Sequence, residues 1–476
     1  MGTDESLDKT AQPDEGPDAT LGPDDQPVPT LRLLYSRSIG ILTPQRAKLR
    51  SEPSAWRIDS RELRIGRGAP PSEVCLADDS QLSRLHASVK ASGLQVVLRD
   101  LGSSNGCFVG GTRTKEAVLQ DGDIIRCGGS LFIFRCEPTK VPDAKIDSLI
   151  GQSLLSRRLR HEIALFAPTQ CTVLLLGESG TGKEVTARAL HTLSGVAGPL
   201  IAVNCAAIPE TLAESQLFGH VAGAFTGAKA HAGYFRAAHH GTLFLDEVGE
   251  LPASLQPKLL RALEEGVITP VGSVEPQPCK VRLIAATNRH LQSEVADGKL
   301  RGDLYARLVE IVLRLPPLRA RREDILLLLA HFLGDGPPLH PALAEALLLY
   351  RWPWNVRELA KVATELKLRG AKLPQLQLDL VADRLTTDAP EPKHVAAAEP
   401  VAQAARPATP QAKPADPVVI RRDELLAALK ANGGRIAHAA RQLGKSRQQI
   451  YRLLELHGLS KNDFRDDERD GNGETS

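Results

Sequence analysis

The sequence predicts three folds in succession: an all-β sandwich, an α/β domain on a parallel sheet, and an all-α helix-turn-helix. Three observations predict them. Residues about 31–138 alternate apolar and polar side chains, with Gly, Asn and Asp between the runs. Residues 145–385 carry wholly apolar runs that each end in a loop, with helical patterns between them. Residues 418–460 return to helical periodicity with a basic balance, eight Lys or Arg against three Asp or Glu. A chain of 476 residues has room for about three domains.

The first element is a tail. Residues 1–30 are acidic and Pro/Gly-rich without apolar periodicity, so they are expected to be disordered. They lack the basic and apolar regions of a signal peptide. The runs LRIGR, HASVKA, LQVVLRD, GCFVGG and LFIFR then read as short strands, so closely spaced that residues 31–140 are expected to form a sandwich. The seven cysteines have no CxxC pairing, which points to reduced thiols in a cytoplasm and away from a disulfide or zinc framework.

The α/β region follows. TVLLL runs into GESGTGKE (Gly177, Glu178, Ser179, Gly180, Thr181, Gly182, Lys183, Glu184), and a helical pattern comes next. This is G-x-x-x-x-G-K in its strand-loop-helix setting. Glycines let backbone N–H groups converge on phosphate oxygens, and Lys183 adds a charge at the β/γ-phosphates. Glu184 stands where Ser or Thr usually holds Mg²⁺. GTLFLDEVGE supplies a second half: Asp246, at a strand's carboxyl end, to position Mg²⁺ or its waters, and Glu247 to polarise a water. ATP and Mg²⁺ are therefore the expected ligands. The apolar run near 325–333 is shorter than the ~18 residues of a membrane span and reads as a core helix.

Residues 387–417 hold seven prolines and many alanines, a semi-extended linker. In residues 418–460, Ile436, Ala439, Ala440 and Leu443 form one apolar face, Gly444 closes the first helix and Ser446 caps the second. Arg447, Gln448, Gln449, Tyr451 and Arg452 lie near the start of that second helix, where Arg and Gln can bond base and phosphate edges. A helical dimerisation hairpin with a solvated basic face is the alternative, and both can hold together. A charged tail, 461–476, ends the sequence.

With GAFTGA lying between the phosphate loop and Asp246-Glu247, residues about 148–368 closely resemble the AAA+ domain of bacterial sigma-54-dependent transcriptional activators. VNCAAIPE, ESQLFGH, LLRALEEG, AATNRHL, LRGDLYARL, LPPLRARREDI and NVREL add to the match. The resemblance implies an α/β ATPase subdomain (145–318) and a small helical lid (319–386). It implies that Asn204 holds Glu247 inactive until the γ-phosphate is sensed, and that Thr287 and Asn288 form the polar end of the sensor I strand. Arg301 and Arg307 would be arginine fingers reaching a neighbouring subunit, and Arg357 the sensor II arginine. It implies a homo-oligomer, from dimer to hexameric ring. Gly223, Ala224, Phe225, Thr226, Gly227 and Ala228 would form the contact with sigma-54 RNA polymerase, with Phe225 and Thr226 at the tip. Two departures stand out: Trp354 occupies a position usually Gly, and VAGAFTGA replaces the more usual EKGAFTGA.

RIGR, SRLH and LGSSNG, in that order, resemble a forkhead-associated (FHA) domain, which binds phosphothreonine peptides. Arg67 and Arg84 offer charge-assisted bonds, and Ser83, Ser104 and Asn105 shorter polar ones, a set suited to a dianionic phosphate. His86 is expected to orient loops. A sandwich that serves only for packing is the alternative. The last region resembles a Fis-type helix-turn-helix. Taken together, the resemblances imply an ATP-driven transcription activator, cytoplasmic and nucleoid-associated, with enhancer DNA and a phosphothreonine protein or Ser/Thr kinase as partners and no membrane. A repressor or scaffold with a vestigial ATPase site, and an FHA adaptor on an assembly platform, are the other function classes. Intact Lys183, Asp246, Glu247, Arg301, Arg307 and GAFTGA argue against both.

Overall fold

The alternating front region builds two sheets. Its strands are β1 (Pro27–Ser36), β2 (Gly40–Ile41), β3 (Ala55–Arg57), β4 (Leu63–Gly66), β5 (Val74–Cys75), β6 (Ala87–Ser92), β7 (Gln95–Asp100), β8 (Cys107–Val109), β9 (Thr112–Thr114), β10 (Glu116–Leu119), β11 (Ile124–Cys127) and β12 (Ser130–Pro138). One sheet runs β2-β1-β12-β11-β8-β9 with β3 on β1, the other β10-β7-β6-β4-β5. Period-2 alternation decides the inner face: Ala87, Val89, Val96 and Leu98 are buried, while Lys90 and Arg99 face outward. The computed structural model describes residues 27–37, 40–43, 54–68, 72–93, 95–138 and 141–385. The expected linker from residue 387, the helix-turn-helix with Ser446, Arg447, Gln448, Gln449, Tyr451 and Arg452, and the final tail lie outside the described residues. One boundary needs correction. Pro27–Thr30 belong to β1 and pair with Arg135–Pro138, because Val28 and Thr30 continue the strand pattern that two prolines obscure in the sequence.

The central domain is a five-stranded, wholly parallel sheet in the order β14-β15-β18-β13-β19: β13 (Val173–Leu176), β14 (Leu200–Asn204), β15 (Thr242–Asp246), β18 (Arg282–Thr287) and β19 (Ile311–Arg314). β16 (Val267–Ile268) and β17 (Gln277–Pro278) form a separate hairpin. The helices are α1 (Leu154–Phe166), α2 (Lys183–Leu193), α3 (Glu210–Phe218), α4 (Gly233–Ala237), α5 (Gln256–Glu264), α6 (Leu291–Ala296) and α7 (Gly302–Leu308). Two hydrophobic layers cover the sheet, one around Ile163, Leu190, Phe244 and Ile284, the other around Phe218, Leu245, Leu259 and Leu304. Burial on both faces is why these strands read as unbroken apolar runs.

The lid is α8 (Arg322–Leu333), α9 (Pro341–Leu349) and α10 (Asn355–Gly370). It shares one hydrophobic core with the sandwich. Leu34, Tyr35, Ile41, Leu131 and Ile133 pack in the same cluster as Leu326, Leu329, Leu343 and Leu347. Polar contacts reinforce that seam. The Tyr35 hydroxyl donates to Leu339 O at 2.5 Å, Arg126 Nε donates to Glu345 at 2.7 Å, and Arg135 clasps Glu323 with bonds of 2.5 and 2.8 Å. Sandwich, α/β domain and lid thus lie in one compact unit. Among the described residues, no helix is long and apolar enough to cross a membrane.

Candidate nucleotide site and its output loop

The three middle strands of the parallel sheet end at one edge, where open α/β sheets carry their ligands. The loop after β13 is Gly177–Gly182, and α2 starts at Lys183, its first-turn N–H groups and positive dipole end available to an anion. Lys183 is buried; its Nζ donates to Gly177 O at 3.0 Å and lies 3.5 Å from Glu247 Oε1. Thr181 Oγ1 donates to Glu178 O at 2.8 Å and closes the loop. Glu184 is exposed and pairs with Arg188 one turn on, at 2.8 Å.

Asp246 ends β15. Burial pushes its carboxyl above the ordinary range, Lys183 pulls it back down, and adjacent Glu247 pushes it up again. Glu247 adopts φ 52°, the left-handed region that a non-glycine residue enters at a cost, and this aims its carboxylate at Lys183. Glu247 Oε2 also accepts from Asn288 N–H at 3.4 Å, and Thr287 O accepts from Gly177 N–H at 3.3 Å, so the end of β18 touches both halves of the site. Asn204 lies in register with Asp246, but its side chain is engaged elsewhere: Oδ1 accepts from Ala206 N–H at 2.9 Å and caps the turn Cys205–Ala207. Among the described residues, Glu247 is met by Lys183 and by Asn288 N–H.

The lid grips the phosphate loop through Arg357, which the sequence singles out, and through three side chains that it does not. Arg319 forms a fork on Glu178, with bonds of 2.8 and 2.6 Å. Arg321 donates to Thr181 O at 2.9 Å, and Asn355 Nδ2 donates to both Glu178 and Ser179 O. Arg357 donates to Ser179 Oγ at 3.0 Å. Val356 N–H donates to Gly180 O, and a Cβ on Gly180 would lie 2.3 Å from Trp354 O, so that glycine permits the close approach. Trp354 itself needs no glycine. Its φ is −105°, and the left-handed residues of this turn are Trp352 and Asn355.

Arg301 and Arg307 bracket α7 and face acids of their own chain: Arg301 pairs with Asp303 at 2.7 Å, and Arg307 with Glu310. Among the described residues neither bonds the phosphate loop. The GAFTGA stretch forms a closed turn: Gly223 N–H donates to Ala228 O at 3.1 Å, and Ala228 N–H to Phe225 O at 2.9 Å. Its base is held where Val221 N–H donates to Val271 O. Phe225 is 49% exposed at the tip and its ring lies 5.0 Å from the His220 ring; Thr226 is exposed beside it.

In the sandwich, the loops before β6 and β8 meet. Ser83 Oγ accepts from Ser104 N–H at 3.2 Å, and Asn105 Nδ2 donates to Gln81 O at 2.7 Å. Arg67 and Arg84 are exposed at the same edge, and neither guanidinium has a partner among the described residues. Beneath them His86 is fully buried; its Nδ1 accepts from Ser83 N–H, and its Nε2 faces Gly106 O at 3.2 Å.

Known families match this order of parts. The model for the sigma-54 interaction domain matches residues 149–314, that for the FHA domain residues 63–128, and that for the AAA+ ATPase lid domain residues 319–397. The bacterial regulatory protein, Fis family, matches residues 421–455. Transcriptional regulatory protein GlrR of Escherichia coli (strain K12) is 38% identical over 330 residues, covering 67% of this chain and 70% of GlrR. The chain belongs to the sigma-54-dependent transcriptional regulators. Two further regulators are similar. Nitric oxide reductase transcription regulator NorR2 of Cupriavidus necator is 44% identical over 65% of this chain, which spans 63% of NorR2. Transcriptional regulatory protein ZraR of Salmonella typhimurium is 41% identical over 64% of this chain and 68% of ZraR. In this sigma-54-dependent regulator the central domain is an AAA+ domain with its lid, and the sandwich is an FHA domain.

Proposed function

We propose that this regulator is an ATP-driven activator. It binds enhancer DNA upstream of promoters through residues 418–460, assembles as a homo-oligomeric ring and hydrolyses ATP to remodel sigma-54 RNA polymerase into the open complex. It would work in the bacterial cytoplasm, at the nucleoid. One observation carries the reading: an exposed Phe225–Thr226 tip stands on a glycine-flanked turn, in the chain between a phosphate loop and its paired acids.

The residues suit ATP with Mg²⁺. Asp246 and Glu247 set two carboxylates against the single Lys183 charge, an excess of hard oxygen donors that fits a divalent cation. Bound there, Mg²⁺ would neutralise charge on the phosphates. Lys183 then leaves Glu247 for the β/γ-phosphates, and the freed Glu247 carboxylate accepts a proton from the attacking water. Arg301 and Arg307 leave Asp303 and Glu310 to stabilise charge at a neighbour's γ-phosphate. Asn288 N–H, now on Glu247, reports the change along β18.

The testing assay is transcription from a sigma-54 promoter with purified components and ATP. Wild type is expected to form open complexes. Thr226→Ala is expected to form none while keeping ATPase activity within about two-fold, because Thr226 lies outside the hydrolytic machinery. Hydrolysis without open complexes by the wild type on any such promoter would overturn the activator reading.

Arg67 and Arg84, without a partner among the described residues, together with Ser83, Ser104 and Asn105, support phosphothreonine recognition as the input. Arg84→Ala is expected to weaken binding of a phosphothreonine peptide at least 10-fold, since a charge-assisted bond contributes about 1.5–3 kcal/mol. Calorimetry against phosphorylated and plain peptides checks this, and equal affinities for the two peptides would refute it.

A further inference from the structure

Below the phosphothreonine loops lies a side-chain cluster that the ATPase and its output do not use. Cys107 on β8 and Cys127 on β11 are paired in register across adjacent strands, and their Sγ atoms lie 3.8 Å apart. His86 completes the group. Its nitrogen and the two sulfurs all fall within 4.8 Å of one another, and all three side chains are fully buried. Their spacing in the sequence matches no metal motif, because three separate strands and loops bring them together.

We propose that His86, Cys107 and Cys127 form a binding site for a thiophilic divalent cation of the Zn²⁺ class. Three features of the cluster carry this. The donors are two thiols and an imidazole, the set that Zn²⁺ takes in structural sites. A tetrahedral ion with Zn–S bonds of about 2.3 Å sets its sulfurs about 3.8 Å apart, the separation already present here. Charge completes the case. Two thiolates in a fully buried site carry two negative charges, which a divalent ion cancels and a monovalent ion does not. Gly106 O, 3.2 Å from His86 Nε2, is within reach as a fourth, oxygen donor.

The site has a consequence for the loops above it. His86 Nδ1 now accepts from Ser83 N–H, so the ring proton is on Nε2, facing Gly106 O. An ion on Nε2 displaces that proton, and the neutral ring then carries its hydrogen on Nδ1, pointing at Ser83 N–H. Two donors cannot face each other, so the Ser83 amide must give up its bond. The cation therefore loosens the loop that presents Ser83 and Arg84. Ligation releases three protons in all, one from each thiol and the one leaving Nε2, while Nδ1 takes one up; the net release is two.

The test uses the full chain, reduced, stripped with a chelator and kept under anaerobic conditions. Co²⁺ serves as the coloured probe and Zn²⁺ as its competitor. The expected result is one equivalent of Co²⁺ giving thiolate-to-metal charge-transfer absorption, lost when Zn²⁺ is added. The double variant Cys136→Ser/Cys171→Ser, which removes the two exposed thiols, should bind as wild type does. Cys107→Ser and Cys127→Ser should each lose the absorption. Cys107→Ala and Cys127→Ala, which bury no hydroxyl, should lose it too while keeping the wild-type circular dichroism. Hydrogen exchange across residues 81–86 should quicken at least 10-fold on loading. Absence of the band in wild type, or its survival in all four single variants, overturns the site. So does formation of a Cys107–Cys127 disulfide in place of metal uptake, seen as loss of two hydrogens by mass. Unchanged exchange at 81–86 overturns the link to the loop.

Discussion

Glu247→Gln is expected to lower ATP turnover by about 10²–10⁴-fold, the usual contribution of a positioned general base, with nucleotide affinity changed by no more than a few-fold. The substitution isolates basicity. Gln has the same shape, so it tolerates the same left-handed backbone at φ 52°, and its amide oxygen can still accept from Asn288 N–H. Lys183 keeps its bond to Gly177 O when the carboxylate is gone. What disappears is the group that can take a proton from water. Lys183→Ala provides the contrast, because it removes the charge at the phosphates and should cost binding as well as turnover. Steady-state hydrolysis and equilibrium binding of a fluorescent nucleotide separate the two variants. Turnover by Glu247→Gln within 10-fold of wild type would remove Glu247 from the role of base and leave Asp246 as the candidate.

The site's two halves were legible because each sits where a buried strand stops. TVLLL and TLFLD are covered on both faces, so their apolar runs are unbroken and their ends fall at a ligand edge. The lid's grip was not legible. Glu178 reads in sequence as one more residue of a backbone cradle, yet its carboxylate takes Arg319 and Asn355, over a hundred residues away in the chain. No local period reports such a pairing. Trp354 raised a question about the lid's turn that only backbone angles could answer, since the left-handed positions fall on its neighbours. The seam between sandwich and lid was hidden for a different reason. Leu34 and Tyr35 are consecutive buried residues, and Leu131–Phe134 form an unbroken buried run. Such runs report that both faces of a strand are covered but not what covers the second face. The same limit applies to His86, Cys107 and Cys127, whose proximity exists only after the sheets are paired.

The largest expected stability effect falls on that seam. Arg135→Met is expected to destabilise the docking of sandwich on lid by about 3 kcal/mol, the low end of the cost of leaving one partner of a buried pair alone. Glu323 is the partner left behind; its side chain is 1% exposed, and Arg135 is 14% exposed. The low end is chosen because Arg135 also reaches Asp121, which is half-exposed and screened by water. The double variant Arg135→Met/Glu323→Leu should recover most of the loss, because an apolar pair of similar volume leaves no orphaned charge. Thermal unfolding of the full chain, with hydrogen exchange over Arg322–Leu333, measures both. Arg135→Met within about 0.5 kcal/mol of wild type would show that the clasp adds nothing to the shared apolar core. The effect should not stop at the seam. Arg319 and Arg321 hold the phosphate loop, Arg322 donates to Gly122 O of the sandwich, Glu323 takes Arg135, and Asp324 accepts from Ser153 and Ser156 at the start of α1. Five positions between 319 and 324 thus bond the sandwich, the nucleotide site and the start of α1. A side chain cannot be released at one end of so short a segment without changing the alignment at the other. Arg135→Met is therefore also expected to shift basal ATPase activity, although among the described residues Arg135 does not bond the phosphate loop or its paired acids.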